Sequence, residues 1–318
     1  MKRALHPGAD ARAEKGMLSA NKWLIARRSS QLAILLLFML GPWAGIWIIT
    51  GNLSSSLILK TVPLTDPYLF VQSLFTGHIP EMAAITGVII VAVFYMLVGG
   101  RVFCSWVCPV NIITDTAQWF RDQFKITGSS TLPRKTRYWI LASTLILAMV
   151  TGSITWELVN PVSMVHRGLI FGMGLAWFII AAIFLLDLLV SRRGWCSHLC
   201  PMGAFYSLLG TQSLIRIRAD AREACDDCMD CFIACPEQQV IRPALKGHLN
   251  KENSVGPVIT SANCTNCGRC IDVCAKDVFH FGLRFDNSSP NESTNKTNFD
   301  INKLANDKPK HSSGVEVL

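Results

Sequence analysis

Charge is scarce in this chain. Only 16% of its 318 residues are Asp, Glu, Lys or Arg, against about 25% in an ordinary soluble domain. With a mean hydropathy of +0.34, the shortage argues against a plain soluble globule and points to lipid. Other absences narrow the chemistry. No C-x-x-C-H occurs, so no c-type haem is attached. The histidines are His6, His78, His166, His198, His248, His280 and His311, and none lies inside an apolar run. A b-type haem with two axial histidines in a helical bundle is therefore not expected. Neither G-x-x-x-x-G-K-[ST] nor G-x-G-x-x-G is present, which leaves nucleotide binding without support. No cysteine falls outside four tight groups.

Long apolar runs are what the chain has instead. Stretches 29–59, 82–100, 138–156 and 168–186 contain no charged residue, and a transmembrane helix needs about 20 mostly apolar residues. Four membrane helices are expected. Cations lie at alternate ends: seven in 1–28, six in 101–137, then Arg192 and Arg193, with only Lys60 and Arg167 in the other two connections. This is a positive-inside pattern. It predicts a multi-pass protein of the bacterial inner membrane with both termini cytoplasmic and loops 51–81 and 157–167 outside. The net charge of +8 is then a topology signal that needs no nucleic-acid partner. Trp23, Trp106, Trp119, Trp139 and Trp195 are expected in an inner aromatic belt, Trp43, Trp47 and Trp156 in an outer one, and Trp177 in mid-span packing.

Two cysteine groups read Cys225-x2-Cys228-x2-Cys231-x3-Cys235-Pro236 and Cys264-x2-Cys267-x2-Cys270-x3-Cys274. This is the spacing of bacterial two-cluster ferredoxins, in which each run gives its fourth thiolate to the other's cluster. The expected cofactors are two [4Fe–4S] clusters, one on Cys225, Cys228, Cys231 and Cys274, the other on Cys264, Cys267, Cys270 and Cys235. Zinc sites need four ligands in paired knuckles, and disulfides suit an oxidising compartment; neither matches two runs of four on the cytoplasmic side. Ala275 stands where the first run has Pro236, a difference that removes no thiolate.

The other two groups form a repeat: Phe103-Cys104-Ser105-Trp106-Val107-Cys108-Pro109 and Trp195-Cys196-Ser197-His198-Leu199-Cys200-Pro201. Each follows an even-numbered run, as in a duplicated two-helix unit. On a helix, positions i and i+4 share a face, so each pair of thiols is expected to point at one site. Buried packing, a disulfide-forming pair, a bound metal, a third cluster and a quinone-site thiol all stay open for Cys104, Cys108, Cys196 and Cys200.

The fold class expected is thus a membrane α-helical body of four transmembrane helices, a duplicated two-helix unit, plus a small α+β two-cluster ferredoxin-like domain. Its divisions are a basic cytoplasmic arm (1–28), the four-helix membrane part (29–194), the cytoplasmic ferredoxin-like part (195–283) and a disordered tail (284–318) rich in Asn, Ser, Lys and Asp.

Arg101–Pro109, Trp195–Pro201 and Cys225–Pro236, with Thr61–Pro67, resemble the NapH family of ferredoxin-type membrane subunits that serve periplasmic nitrate reductase. The likeness runs from about residue 20 to residue 280. It implies a quinol dehydrogenase subunit with quinol as electron donor. Electrons would pass toward the periplasmic ferredoxin subunit NapG, and nitrate would be reduced elsewhere. The alternative is an iron–sulfur membrane assembly or metal-reducing factor acting through the C-x3-C-P cysteines. Quinol oxidation releases protons and needs an acceptor near the ring. Candidates are Asp66, Glu81, Glu157 and His166 toward the outside and Asp115, Asp187 and His198 toward the inside. Asp187 is expected to pair with Arg192 or to be solvated, and Glu157 and His166 to sit in water.

Overall fold

The computed structural model describes residues 7–126, 128, 132–172, 174, 176–247 and 255–285. Two hydrophobic cores lie within one compact unit that runs to Arg284. The first core gathers Tyr68, Tyr95, Phe103, Trp156, Val162, Ile183, Met202 and Tyr206 among helices. The second lies around Ile217, Ile241, Ile259, Ile271 and Phe279 in the cysteine-rich part.

Chain entry is through α1 (Ala9–Lys15) and α2 (Lys22–Ala44). With a short lead-in turn, Ser19–Ala44 is long and apolar enough to cross a membrane. The apolar run continues to residue 59, but the helix does not. Gly45 adopts φ 72°, and the helix closes with the Gly45 N–H on the Gly41 carbonyl and the Ile46 N–H on that of Leu40. A left-handed glycine is the common helix stop. Beyond it the β-branched Ile48, Ile49 and Thr50 favour strand. A three-stranded antiparallel sheet follows: β1 (Ile49–Gly51), β2 (Ser55–Ile58) and β3 (Val62–Thr65), with Ile49 opposite Ile58 and Leu57 opposite Pro63. The Asn52 side chain accepts from the N–H groups of Ser54 and Ser55 at the first turn.

The connection that the charge pattern places outside packs back into the body. Asp66 caps α3 (Pro67–Phe75), accepting from the Tyr68 and Leu69 N–H groups with Pro67 in the first turn. Tyr68 is fully buried, and its hydroxyl pairs with Thr144 at 2.8 Å. Then come α4 (Met82–Val98), a π-turn at Phe103–Val107, α5 (Val110–Gln123) and α6 (Thr136–Thr151). The second half repeats the first. After the short α7 (Thr155–Val159), Asn160 caps α8 (Pro161–Phe171), again with proline in the first turn. α9 (Ala176–Leu185) runs into a π-turn at Leu186–Val190; a second π-turn, Trp195–Leu199, leads to α10 (Pro201–Leu209). The apolar helices Met82–Val98, Thr136–Thr151 and Ala176–Val190 have 10–17 residues, each shorter than α2.

The cysteine-rich part starts after α10. β4 (Ile215–Arg218) pairs antiparallel with β5 (His280–Leu283), Ile217 facing Phe281, so the ends of the segment meet in one small sheet. Between them lie α11 (Asp230–Ala234), α12 (Ile241–Lys246) and α13 (Arg269–Asp272). Residues 195–209, grouped above with the ferredoxin-like part, contribute Met202, Ala204 and Tyr206 to the helical core instead. The apolar face of α10 is the reason: it packs on α4 and α6.

Three other expectations need correction. Trp23 does not sit in a lipid-facing belt: its ring is 4.6 Å from Phe281 and 6.2 Å from Trp106. Trp156 is buried and Trp177 is exposed, the reverse of their expected places. The described part of the basic arm lies on the cysteine-rich part rather than apart from it, with Gly8 N–H donating to Asp230 at 2.7 Å and Lys276 pairing with Glu14. Residues 286–318 of the expected disordered tail lie outside the described residues.

Candidate iron–sulfur and thiol sites

All twelve cysteines are free thiols, and the fold sorts them into three sets of four. Cys225, Cys228, Cys231 and Cys274 line one opening with about 370 Å³ of empty space. Cys235, Cys264, Cys267 and Cys270 line a second of about 320 Å³. The last cysteine of each run faces the other run's loop. Both loops curl the same way. Asp227 and Met229 flank Cys228 with positive φ, and Asn266 and Gly268 flank Cys267 likewise. Two left-handed residues around the middle cysteine turn the chain tightly enough for three thiols to face one opening. Gly268 has a second reason to lack a side chain, because a Cβ there would lie 2.6 Å from the Trp23 ring.

Among the described residues, no three His, Cys, Asp or Glu side chains converge on a single-ion centre. A cubane takes one thiolate on each iron at separate corners, so spread thiols suit it, and each opening offers four. Electrostatics differ between the two openings. Burial pushes the Cys267 thiol up, but Arg269 and Arg27 outweigh it and hold the group below the usual thiol range. Cys231 is pushed up to about 12 by burial and then by Cys274 and Cys225.

The C-x3-C-P repeats are not ordinary helix. Cys108 N–H bonds the Phe103 carbonyl and Cys200 N–H bonds that of Trp195, both at 2.9 Å and five residues apart. Each second cysteine leaves the π-turn in extended conformation and hands over to a helix, which begins at Pro201 in the second repeat and just after Pro109 in the first. The i, i+4 helix face expected from sequence is replaced by this duplicated turn. It brings Cys104, Cys108, Cys196 and Cys200 around a third opening in the first core.

This region adjoins the cysteine-rich loops closely. Ser105 Oγ donates to the Thr265 carbonyl at 2.7 Å, and Trp106 Nε1 to that of Asn266 at 3.1 Å. The Asn266 amide reaches the Val98 and Ile215 carbonyls, tying the loop to α4 and β4. Two carboxylates fix the rest. Glu237, two residues after Cys235, is 1% exposed and takes Arg101 at 2.7 Å, Arg137 at 2.9 Å and Arg134 at 3.3 Å. Burial raises its pKa, but Arg101 and Arg137 outweigh this and keep it ionised. Asp115 on α5 takes Arg269 at 2.6 Å, Arg193 at 3.1 Å and Arg28. Those guanidiniums overcome burial and hold it well below the ordinary carboxylate range. Many of the cations expected on the inner side are therefore partners inside the molecule. Glu237 and Arg137 carry no motif; only the placement of Arg101 and Arg193 three residues before each C-x3-C-P pair hinted at a role.

The expected proton acceptors scatter. Asp115, held ionised by arginines, is a poor one. Asp187 does not pair with Arg192, whose partner is Asp122 at 2.6 Å; it is buried and accepts the Trp195 N–H at 2.9 Å. His166 is 3% exposed, edge-on to Phe38, not in water. His198 is buried in the second π-turn. Glu157 is partly buried and pairs with Arg167 at 3.3 Å. Glu81 is exposed at the start of α4. Asp66 is 4% exposed and lies 3.4 Å from the Tyr206 hydroxyl.

Comparisons with known proteins agree with this layout. A family model described as a 4Fe-4S binding domain matches twice, at 81–127 and 173–218, the segments that hold the two C-x3-C-P turns. A 4Fe-4S dicluster domain matches 224–278. The methylamine utilization ferredoxin-type protein MauN of Methylorubrum extorquens is 50% identical over 89% of this chain and 96% of its own. MauN of Paracoccus denitrificans is 54% identical over 80% and 88%. The ferredoxin-type protein NapH of Escherichia coli is 46% identical over 87% and 95%. No solved structure matches. The fold and the matches together define a ferredoxin-type iron–sulfur electron transport protein. Within that class the chain belongs to the family of NapH and MauN.

Proposed function

We propose that this protein is a membrane electron-transfer subunit that takes electrons from quinol through two [4Fe–4S] clusters toward a periplasmic redox system. Cys225, Cys228, Cys231 and Cys274 would hold one cluster, and Cys264, Cys267, Cys270 and Cys235 the other. The observation that carries this reading is the pair of four-thiol openings, each completed by the far run's last cysteine. The clusters supply one-electron transfer. The chain's own residues place them: Glu237 and Asp115 dock the loops on the helices, and Thr265 and Asn266 bring the second opening against the first C-x3-C-P turn. Four passes through the inner membrane, with both termini in the cytoplasm, fit the charge pattern. The three short apolar helices cross with the help of the packed connections α3 and α8, because backbone within a bilayer must be satisfied by protein. A buried Asp66 beside Tyr206 is the acceptor best placed for quinol protons on the outer side.

The partner system has two readings. The NapH likeness favours periplasmic nitrate reduction through NapG. The 50% and 54% identities to MauN proteins favour methylamine utilization. A deletion strain separates them: loss of growth by nitrate respiration supports the first, and loss of growth on methylamine the second. Normal growth in both conditions sinks both. A metal-reducing role through Cys104, Cys108, Cys196 and Cys200 would instead show as copper or iron bound by a protein whose ferredoxin clusters quinol cannot reduce.

A further inference from the structure

We infer that Cys104, Cys108, Cys196 and Cys200 together hold a third [4Fe–4S] cluster, one cube shared by the two halves of the duplicated helical body. The inference rests on the reading of this chain as an iron–sulfur electron carrier and adds a cofactor to it.

Size and donor number carry the assignment. The third opening has about 400 Å³ of empty space, against about 370 and 320 Å³ for the two ferredoxin-like openings. Each of the three is lined by four cysteines. The three openings are alike in size and in their ring of four thiols, so the one inside the helical core is fitted to the same kind of group as the other two. Among the described residues the rest of the lining carries no Lys, Arg, His, Asp or Glu, so sulfur is the only strong donor. Thiolates are the ligands that hold iron–sulfur clusters. A single metal ion is a poorer fit, because no three of the thiols converge on one point.

Symmetry explains why one cube serves two repeats. Each C-x3-C-P turn offers two thiols, and the two turns match in detail. Cys108 and Cys200 have φ, ψ of −64°, 120° and −69°, 112°. Two plus two makes one full set, so the two segments matched as a 4Fe-4S binding domain build a single cluster rather than one each. Placement gives the cube a use. On one side the Ser105–Thr265 and Trp106–Asn266 hydrogen bonds join its turn to the loop of Cys264 and Cys267. On the other side Trp156 and Pro161, from the connection between α6 and α9, line the same opening. The third cluster therefore stands between the ferredoxin-like pair and the connections on the opposite face, where two clusters alone leave a gap.

The test is a count of iron and acid-labile sulfide in the full-length protein, purified without oxygen. About twelve irons and twelve sulfides per chain are expected, four for each of three cubes. Replacing both Cys104→Ser and Cys196→Ser should bring the count to about eight with both ferredoxin-type paramagnetic signals retained. Should that variant not fold, Cys200→Ser alone should give the same loss. About eight irons in the wild type overturns the inference and leaves the two-cluster reading intact. So does about ten, which would mean a two-iron centre, or eight with stoichiometric copper or zinc. Twelve irons that persist in the serine variants would place the third cluster elsewhere. A folded wild-type protein without iron would sink both readings.

Discussion

Glu237 shows how much of this molecule depends on single side chains. Its carboxylate sits in the interior against Arg101 and Arg137, which are themselves buried. Removing one partner of such a set leaves charge uncompensated, at a cost of about 3–5 kcal/mol. Glu237→Gln should accordingly lower the thermal midpoint in detergent by many degrees and release the second cluster first; an unchanged midpoint would show that the arginines find other partners. Glu237 and Asp115 both have depressed pKa values. Their contribution is complete above the unfolded carboxylate value of about 4 and is lost as pH falls through the folded values. Unfolding followed by tryptophan fluorescence should be flat from pH 7 to 5 and weaken below about 4, with a shallower acid slope in Asp115→Asn. An equal slope in that variant would remove Asp115 from the account. Beyond the placement of Arg101 and Arg193 before the C-x3-C-P pairs, none of this was legible in the sequence. Cysteine spacing names its own chemistry, whereas an arginine near an apolar run reads as a topology signal until its partner, over a hundred residues away, is seen.

At the scale of elements, the ends of α2 are the instructive case. Charge-free sequence runs from residue 29 to 59, longer than one span needs, and charge alone puts the outer connection only from residue 51. Gly45 and the β-branched residues after it ended the helix at Ala44, a local conformational effect that hydropathy does not register. The other end begins with a cap from far away: Asp272 accepts from the N–H groups of Trp23 and Leu24 at 3.2 and 2.9 Å. Asp272→Ala should cost about 1 kcal/mol, as loss of an N-cap does, and should increase amide exchange at residues 22–25 while leaving α4 unchanged. Protection that stays as in wild type would assign the capping to solvent. The C-x3-C-P repeat was readable as a duplication, but its π-turns were not. Their fifth-residue hydrogen bonds have no sequence signature comparable to a capping box. Asp66-Pro67 and Asn160-Pro161 start α3 and α8. Only the packed structure shows that they too are a matched pair.

For the whole molecule, the two cores meet through backbone carbonyls and arginines rather than through a broad apolar seam. The ferredoxin-like loops and the helical body should therefore lose their connection together. Cys228→Ala, in the first of the two ferredoxin-like openings, should remove one cluster signal by electron paramagnetic resonance while the protein still accumulates and keeps the other. Two intact cluster signals would refute the ligand set proposed for Cys225, Cys228, Cys231 and Cys274. Family membership and the iron–sulfur class were within reach of the sequence because twelve cysteines fall in four fixed spacings. The partner system was not, since NapH and MauN relatives share the scaffold that those spacings build.

Whether quinol feeds these clusters is tested most directly by adding a reduced quinol analogue to the purified protein under anaerobic conditions and following the iron–sulfur absorbance near 400 nm, a general band of such clusters. The account expects bleaching by quinol that reverses on adding an oxidised quinone of higher potential. Absorbance that dithionite bleaches but that no quinol changes would contradict it.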